Sequence, residues 1–214
     1  TQRIDGQVGF PGATFELHQT WENGTHSHDA VVNTATVPGG LIADLTGSTQ
    51  TYLFDEDAGG AALLRYAPDG EEYGYYVVER PITGYAVTPS GGQSAVTWDT
   101  EHELGQAAFT NAYAPENYES LSAIKVWADQ DDVFGARPAF DDSDMPISFT
   151  LRRRTAYGVD SSFSASASSW TQGTGADANK WFAQFTGPFA QYSTTGQTFT
   201  YYVEETLDAP YATQ

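Results

Sequence analysis

No cysteine occurs among the 214 residues, which excludes a disulfide framework, a thiolate metal site and a thiol nucleophile. Lysine is almost missing too, with Lys125 and Lys180 the only two. Nine basic residues stand against 28 acidic ones, a formal net charge of −19, so phosphate backbones and anionic membrane surfaces are repelled and nucleic acid is excluded as a partner. No stretch approaches the roughly 18 consecutive apolar residues of a membrane span. The start, Thr1-Gln2-Arg3-Ile4-Asp5, is neither an initiator methionine nor a signal peptide, and the chain reads as a window of something longer.

What is present is apolar and aromatic. With 40% hydrophobic residues, and 14% Phe, Trp and Tyr, the chain has the area to build a core that acidic disordered tails lack. Its length allows one large domain or two small ones. The apolar residues recur with period two: Phe15/Leu17, Tyr75/Val77, Ile147/Phe149/Leu151 and Phe199/Tyr201/Val203. That spacing belongs to strands, and no ten-residue stretch makes an amphipathic helix. Turn signals at Pro38-Gly39-Gly40, Pro68-Asp69-Gly70, Ser90-Gly91-Gly92 and Gly173-Thr174-Gly175 separate the runs as an antiparallel sandwich or barrel requires. The fold class expected is all-β.

An internal repeat organises the chain. Tyr75-Tyr76-Val77-Val78-Glu79, then Tyr85, recurs as Tyr201-Tyr202-Val203-Glu204-Glu205, then Tyr211, with the glutamates 126 residues apart. Strand alternation puts Tyr, Val and Glu of each copy on one face, which leaves a carboxylate among apolar neighbours. A second match pairs Arg3, Phe15 and Leu17 with Arg137, Phe149 and Leu151 at an offset of 134. Loops absorb the difference between the two offsets. Two homologous domains are expected, 1–116 and 117–214, joined at Pro115-Glu116-Asn117-Tyr118-Glu119-Ser120.

The segments Ile124-Lys125-Val126-Trp127, Phe149-Thr150-Leu151-Arg152-Arg153 and Tyr201-Tyr202-Val203-Glu204-Glu205, with the corresponding first-copy segments ending in Phe109-Thr110-Asn111-Ala112-Tyr113, resemble the collagen-adhesin B-type (CnaB) domain of Gram-positive surface proteins and pilins. The resemblance covers nearly the whole chain. It implies two tandem Ig-like (reverse-Ig, CnaB-type) antiparallel β-sandwiches in which a first-strand lysine and a last-strand asparagine condense into an isopeptide bond. A glutamate serves as proton shuttle. Carried onto this sequence, Lys125 is the nucleophile and Glu205 the carboxylate of the second domain, while Glu79 is the carboxylate and Asn111 the acceptor of the first. Burial would favour the neutral amine and the neutral carboxyl, the states that the condensation needs. Each set is incomplete: the first domain lacks its first strand and the second its last. At the 26-residue spacing from Tyr85 to Asn111 the missing acceptor falls past Gln214. Either flanking residues supply the strands or a partner chain does.

The implied function is a structural stalk or shaft module of a cell-wall-anchored, extracellular adhesin or pilin. It has no enzyme activity beyond autocatalytic crosslinking and needs no cofactor. Its partners would be neighbouring domains or subunits of the same fibre. The alternative is an adhesion module that binds a host protein or glycan. No carboxylate pair has the context of a hydrolase. His26-Ser27-His28-Asp29, with His18 upstream, reads as a solvated loop rather than a metal site, and no metal site is assigned. The clusters Asp129/Asp131/Asp132 and Asp141/Asp142/Asp144 fail the EF-hand pattern, since counting from Asp129 puts Phe134 and Phe140 where Gly and Glu are required. Arg152-Arg153-Arg154, the one basic run, is expected to end a strand, with an anion or acidic-partner patch as its other reading. Asn23-Gly24-Thr25 fits the N-glycosylation acceptor pattern.

Overall fold

The structure, a computed structural model, describes residues 3–4, 7–42, 49, 51–52, 54, 63–99 and 104–207. Within them the chain is all-β, its only helical turn a 3-10 turn at Gly175–Asp177. In order the strands are β1 (Arg3–Ile4), β2 (Gln7–Phe10), β3 (Ala13–Glu22), β4 (Ser27–Val37), β5 (Gly40–Ile42), β6 (Gly74–Glu79), β7 (Tyr85–Thr88), β8 (Gln93–Ala95), β9 (Thr97–Trp98), β10 (Gly105–Gln106) and β11 (Thr110–Tyr113). There follow β12 (Asn117–Val126), β13 (Ile147–Thr155), β14 (Gly158–Val159), β15 (Ala165–Ser166), β16 (Ser169–Gln172), β17 (Lys180–Ala190) and β18 (Thr200–Leu207). Among the described residues no helix is long and apolar enough to cross a membrane.

Two units are built, an N-terminal one on Gln7–Ala114 with Thr194–Gly196 and a C-terminal one on Pro115–Ser193 with β1 and β18. In the N-terminal unit the strand order β4-β3-β6-β8 makes one antiparallel sheet, and β11 pairs with β7 in another. In the C-terminal unit β12-β17-β16 form one sheet, and β13, flanked by β18 on one side and by β14 and β15 on the other, forms a second. Period-two alternation selects each core. On β13 it buries Ile147, Phe149 and Leu151, and on β17 Trp181, Ala183, Phe185 and Phe189, so both sheets of this unit share one cluster. In the N-terminal unit Leu17, Tyr75 and Val77 play that part, with Phe15, Trp98 and Phe109 packed against them.

The repeat is more extensive in three dimensions than in sequence. Its two matches pair with each other: Phe15 lies opposite Glu79 and Leu17 opposite Val77, as Phe149 lies opposite Glu205 and Leu151 opposite Val203. The Tyr75 hydroxyl donates to the Leu64 carbonyl at 2.6 Å, and 126 residues later the Tyr201 hydroxyl donates to the Ala190 carbonyl at 2.8 Å. The preceding turns also match, with Ala67 N–H donating to Glu71 O at 2.8 Å and Ser193 N–H to Gln197 O at 2.7 Å. Gly70 and Gly196 sit at the same point of those turns with φ of +93° and +74°, a conformation that other residues pay to adopt. Tyr211, the last member of the sequence repeat, lies outside the described residues.

Several local expectations change. The junction is shorter than its composition suggests, because β12 begins at Asn117 and takes in Tyr118, Glu119 and Ser120. His28 and Asp29 lie on β4 rather than in a loop, and Asp29 accepts hydrogen bonds from Tyr76 Oη at 2.8 Å and His18 Nδ1 at 3.0 Å. The His18 ring stacks on Tyr76 with centroids 4.5 Å apart. These bonds hold the Asp29 carboxyl below the usual range, the His18 bond contributing most. The three arginines close β13 as expected, just before its last residue Thr155, and are engaged: Arg152 pairs with Glu204, and the Arg154 guanidinium lies 5.7 Å from the Tyr202 ring centre. Arg153 pairs with Asp160 at 2.8 Å between the rings of Phe163 and Phe199, at 4.4 and 4.0 Å from the guanidinium carbon.

The side chain of Asp160 is fully buried, and removing Arg153 takes away the charge partner of this carboxylate, which Ser162 also hydrogen-bonds. Arg153→Ala should destabilise the C-terminal unit by about 3–5 kcal/mol. Urea unfolding followed by fluorescence of Trp127, Trp170 and Trp181, with Trp21 and Trp98 replaced by Phe, measures that loss; a change below about 1 kcal/mol would show that the pair is screened by water.

Candidate functional site

The four residues singled out in sequence fall into two half-sites, one per unit. In the N-terminal unit β6 carries Glu79 and β11 carries Asn111, strands of two different sheets. Asn111 Nδ2 donates to Glu79 Oε1 at 2.8 Å. Alternation on β6 buries Tyr75, Val77 and Glu79 in turn, leaving the glutamate 2% exposed. Its second oxygen, Oε2, is buried with no hydrogen-bond partner among the described residues. Burial pushes the Glu79 carboxyl up, and the Asn111 hydrogen bond opposes only part of that rise. The strand backbone is pinned beside it, since Glu79 N–H donates to Gly92 O at 2.7 Å. Asn111 itself is exposed, held by β11 opposite Val87 of β7. No lysine occurs between Gln7 and Ala114.

In the C-terminal unit β12 carries Lys125 and β18 carries Glu205, again from two different sheets. Lys125 Nζ donates to Glu205 Oε1 at 2.6 Å. The ammonium also lies 4.8 Å from the centre of the Trp127 ring, which packs edge-on against Trp181 at 5.0 Å. Alternation along β12 explains why the lysine turns inward: Leu121, Ala123, Lys125 and Trp127 are partly covered, while Ser122, Ile124 and Val126 face out. Side-chain exposure is 18% for Lys125 and 34% for Glu205. This half-site is therefore less buried than expected. Lys125 and Glu205 are joined as an ion pair, and Glu205 keeps a third of its side chain in solvent.

The two glutamates hold one structural position, each opposite the phenylalanine of the neighbouring strand. Around that position one unit places a carboxamide and the other an amine. A carboxyl in contact with an amine can accept its proton, and a carboxyl in contact with a carboxamide can protonate a departing nitrogen. The resemblance grouped Glu79 with Asn111 and Lys125 with Glu205, and these are the pairs found in hydrogen-bond contact. What selects them is the unlike residue, Glu or Lys, on the covered face of an apolar strand.

Comparison with family models, curated proteins and solved structures finds no match for this chain, so the chemistry of the site rests on its geometry. Glu79 offers a direct check. Because its folded carboxyl is raised above the ordinary value of 4.5, the native state holds a proton that the unfolded chain releases, and stability falls as pH climbs from that value through the raised one. Glu79→Gln removes the dependence while keeping the shape. It should raise the stability of the N-terminal unit at pH 7, each pKa unit of the original rise being worth about 1.4 kcal/mol. The gain should vanish below about pH 4. Urea midpoints of both chains across pH 3–8 test this, and a variant less stable than the parent at pH 7 would mean that Glu79 is ionised and paired.

Proposed function

We propose that the chain is a structural stalk module of an extracellular fibre, two tandem reverse-Ig sandwiches of the CnaB type, each closed by a lysine–asparagine isopeptide bond when its third partner is supplied. One observation carries the reading: a carboxylate in the same register of both units, touching the acceptor carboxamide in one and the nucleophile amine in the other. The covalent step is a condensation that releases ammonia. The amine nitrogen bonds to the carboxamide carbon, the old carbon–nitrogen bond breaks, and the glutamate returns the amine's proton to the departing ammonia. The Lys125–Glu205 ion pair holds the reactants one proton transfer away from the neutral amine and neutral acid. Covering the exposed part of Glu205 with another strand would remove water from the pair and favour that transfer. A crosslink between the edges of two sheets stops them from being pulled apart, which suits a spacer under tension.

A second reading, an adhesion module for a host protein or glycan, draws on the loop after β12. Gln130, Asp131 and Asp132 all have left-handed φ, of 54°, 60° and 63°. Arg137 clamps the loop through Asp129 at 2.6 and 2.7 Å and presents Phe134 83% exposed. Such an investment in backbone strain to expose an aromatic ring favours contact with something.

Mass separates the two. A chain lengthened at its C-terminus by roughly 25 residues, as the Tyr85-to-Asn111 spacing requires, should lose one ammonia under denaturing mass spectrometry. Lys125→Ala and Glu205→Ala should each abolish the loss. By closing a loop of about 100 residues the bond should stabilise the unit by about 4–5 kcal/mol. Full mass retained in the lengthened chain, or full crosslinking in Glu205→Ala, would leave Glu205 as an ordinary ion-pair partner and favour the adhesion module.

A further inference from the structure

Every lysine and arginine whose side chain is described meets a carboxylate, with one exception. Arg154 is exposed on the outer face of β13, opposite Thr200 of β18 and Val159 of β14, and among the described residues it meets the Tyr202 ring and no acid. In a chain of net charge −19, a guanidinium left without a carboxylate keeps its donors for another partner. The face around it is poor in acid. Alternation on β13 and β18 turns Arg152, Arg154, Tyr202 and Glu204 outward, and Glu204 is already paired with Arg152 at 2.9 Å. Exposed Val159, and exposed Tyr157 in the turn between β13 and β14, add apolar area next to Arg154. Arginine with aromatic rings and few carboxylates is the composition of an interface centre.

The loop after β12 carries the complementary set. Arg137 engages two of its carboxylates, Asp129 through the guanidinium and Asp132 through the backbone N–H at 2.8 Å. Asp131, between them, is exposed and has no hydrogen bond among the described residues, and exposed Val133 and Phe134 follow it. Loop and patch lie at opposite ends of the C-terminal unit. The loop is tied to the start of β17, where Trp127 N–H donates to Asn179 O at 2.9 Å and Arg137 Nη1 to Ala178 O at 3.2 Å. Arg154 lies opposite the first residue of β18, and just before it Phe199 N–H donates to Gln191 O at 2.9 Å, next to the end of β17. An 11-residue strand such as β17 spans about 33 Å, so one unit cannot bring its own tip and patch together.

We propose that the chain binds a second copy of itself, the Asp131–Phe134 tip of one copy docking on the Arg154 face of the next, with Asp131 bonded to Arg154 and Phe134 covering Val159 and Tyr157. Tip and patch are different surfaces, so the contact is heterologous: each copy gives one and receives one, and association continues into open chains. The net charge does not forbid it. At physiological ionic strength the Debye length is about 8 Å, which damps repulsion between distant acidic surfaces and leaves charges in contact paired. None of these residues belongs to either glutamate half-site, so the association is independent of the crosslinks, and it gives the exposed tip a partner of the chain's own kind.

Sedimentation velocity of the 214-residue chain from micromolar to millimolar concentration, at neutral pH and physiological salt, reads the association. The weight-average mass should rise with concentration and pass that of a dimer. Arg154→Asp and Asp131→Arg, each alone, set like charges against each other and should weaken association about ten- to a hundredfold, the worth of one charged hydrogen bond. Phe134→Ser should weaken it as well, through the lost apolar anchor. An equimolar mixture of Arg154→Asp with Asp131→Arg should recover the association, because every tip then finds a patch of opposite sign. All three positions are exposed, so the variants should keep the parent's urea midpoint, and recovery in the mixture shows directly that both chains are folded. A parent chain that stays monomeric to millimolar concentration, an association that stops at the dimer, substitutions without effect, or a mixture that stays dissociated would each overturn the proposal. The lengthened-chain mass test reads Lys125 and Glu205 alone, so either result can fail while the other stands.

Discussion

Strand pairing in one fixed register is the constraint on which the rest depends. When Phe15 faces Glu79 and Phe149 faces Glu205, period-two alternation commits three consecutive same-face residues of β6 and β18, Tyr, Val and Glu, to one side of the sheet. Tyrosine and valine are driven there by the hydrophobic effect, and the glutamate is carried with them. A slip of one residue would release the carboxylate to water and expose the tyrosine and valine as well, so the apolar pair protects a position that would not be stable on its own. The tyrosine adds a second lock: its hydroxyl bonds to the backbone before the preceding turn in both units, at 2.6 and 2.8 Å, which fixes the strand lengthwise.

The two glutamates show how far one position can diverge. Among the described residues Glu79 has no cation, is almost fully buried, and meets a neutral carboxamide, and burial pushes its carboxyl up. Glu205 has a lysine at 2.6 Å and keeps a third of its side chain in solvent. The same backbone position thus holds a carboxyl bonded to a carboxamide in one unit and one bonded to an amine in the other. What differs is the neighbouring strand: β11 brings Asn111, whereas β12 brings Lys125 with Trp127 beneath it.

Much of this was legible in the sequence, for physical reasons that mark the boundary of such reading. Alternation announces itself in residue type, so Tyr75/Val77 and Phe149/Leu151 could be assigned to covered faces, and the repeat pointed to the glutamates. The turns of the repeat could not be matched in the same way. Residues 65–74 and 191–200 share little beyond Tyr66/Tyr192 and Gly70/Gly196, because backbone N–H and C=O groups make the matching bonds and any side chain permits them. Position along the strand was also opaque: His28 and Asp29 look like loop residues by composition, but a sheet face open to water accepts polar side chains as readily as a loop does. The burial of the Lys125 site was overestimated because burial of a strand face is graded. Near the edge of a sheet a lysine can be covered along its stem and still meet a hydrated carboxylate at its tip.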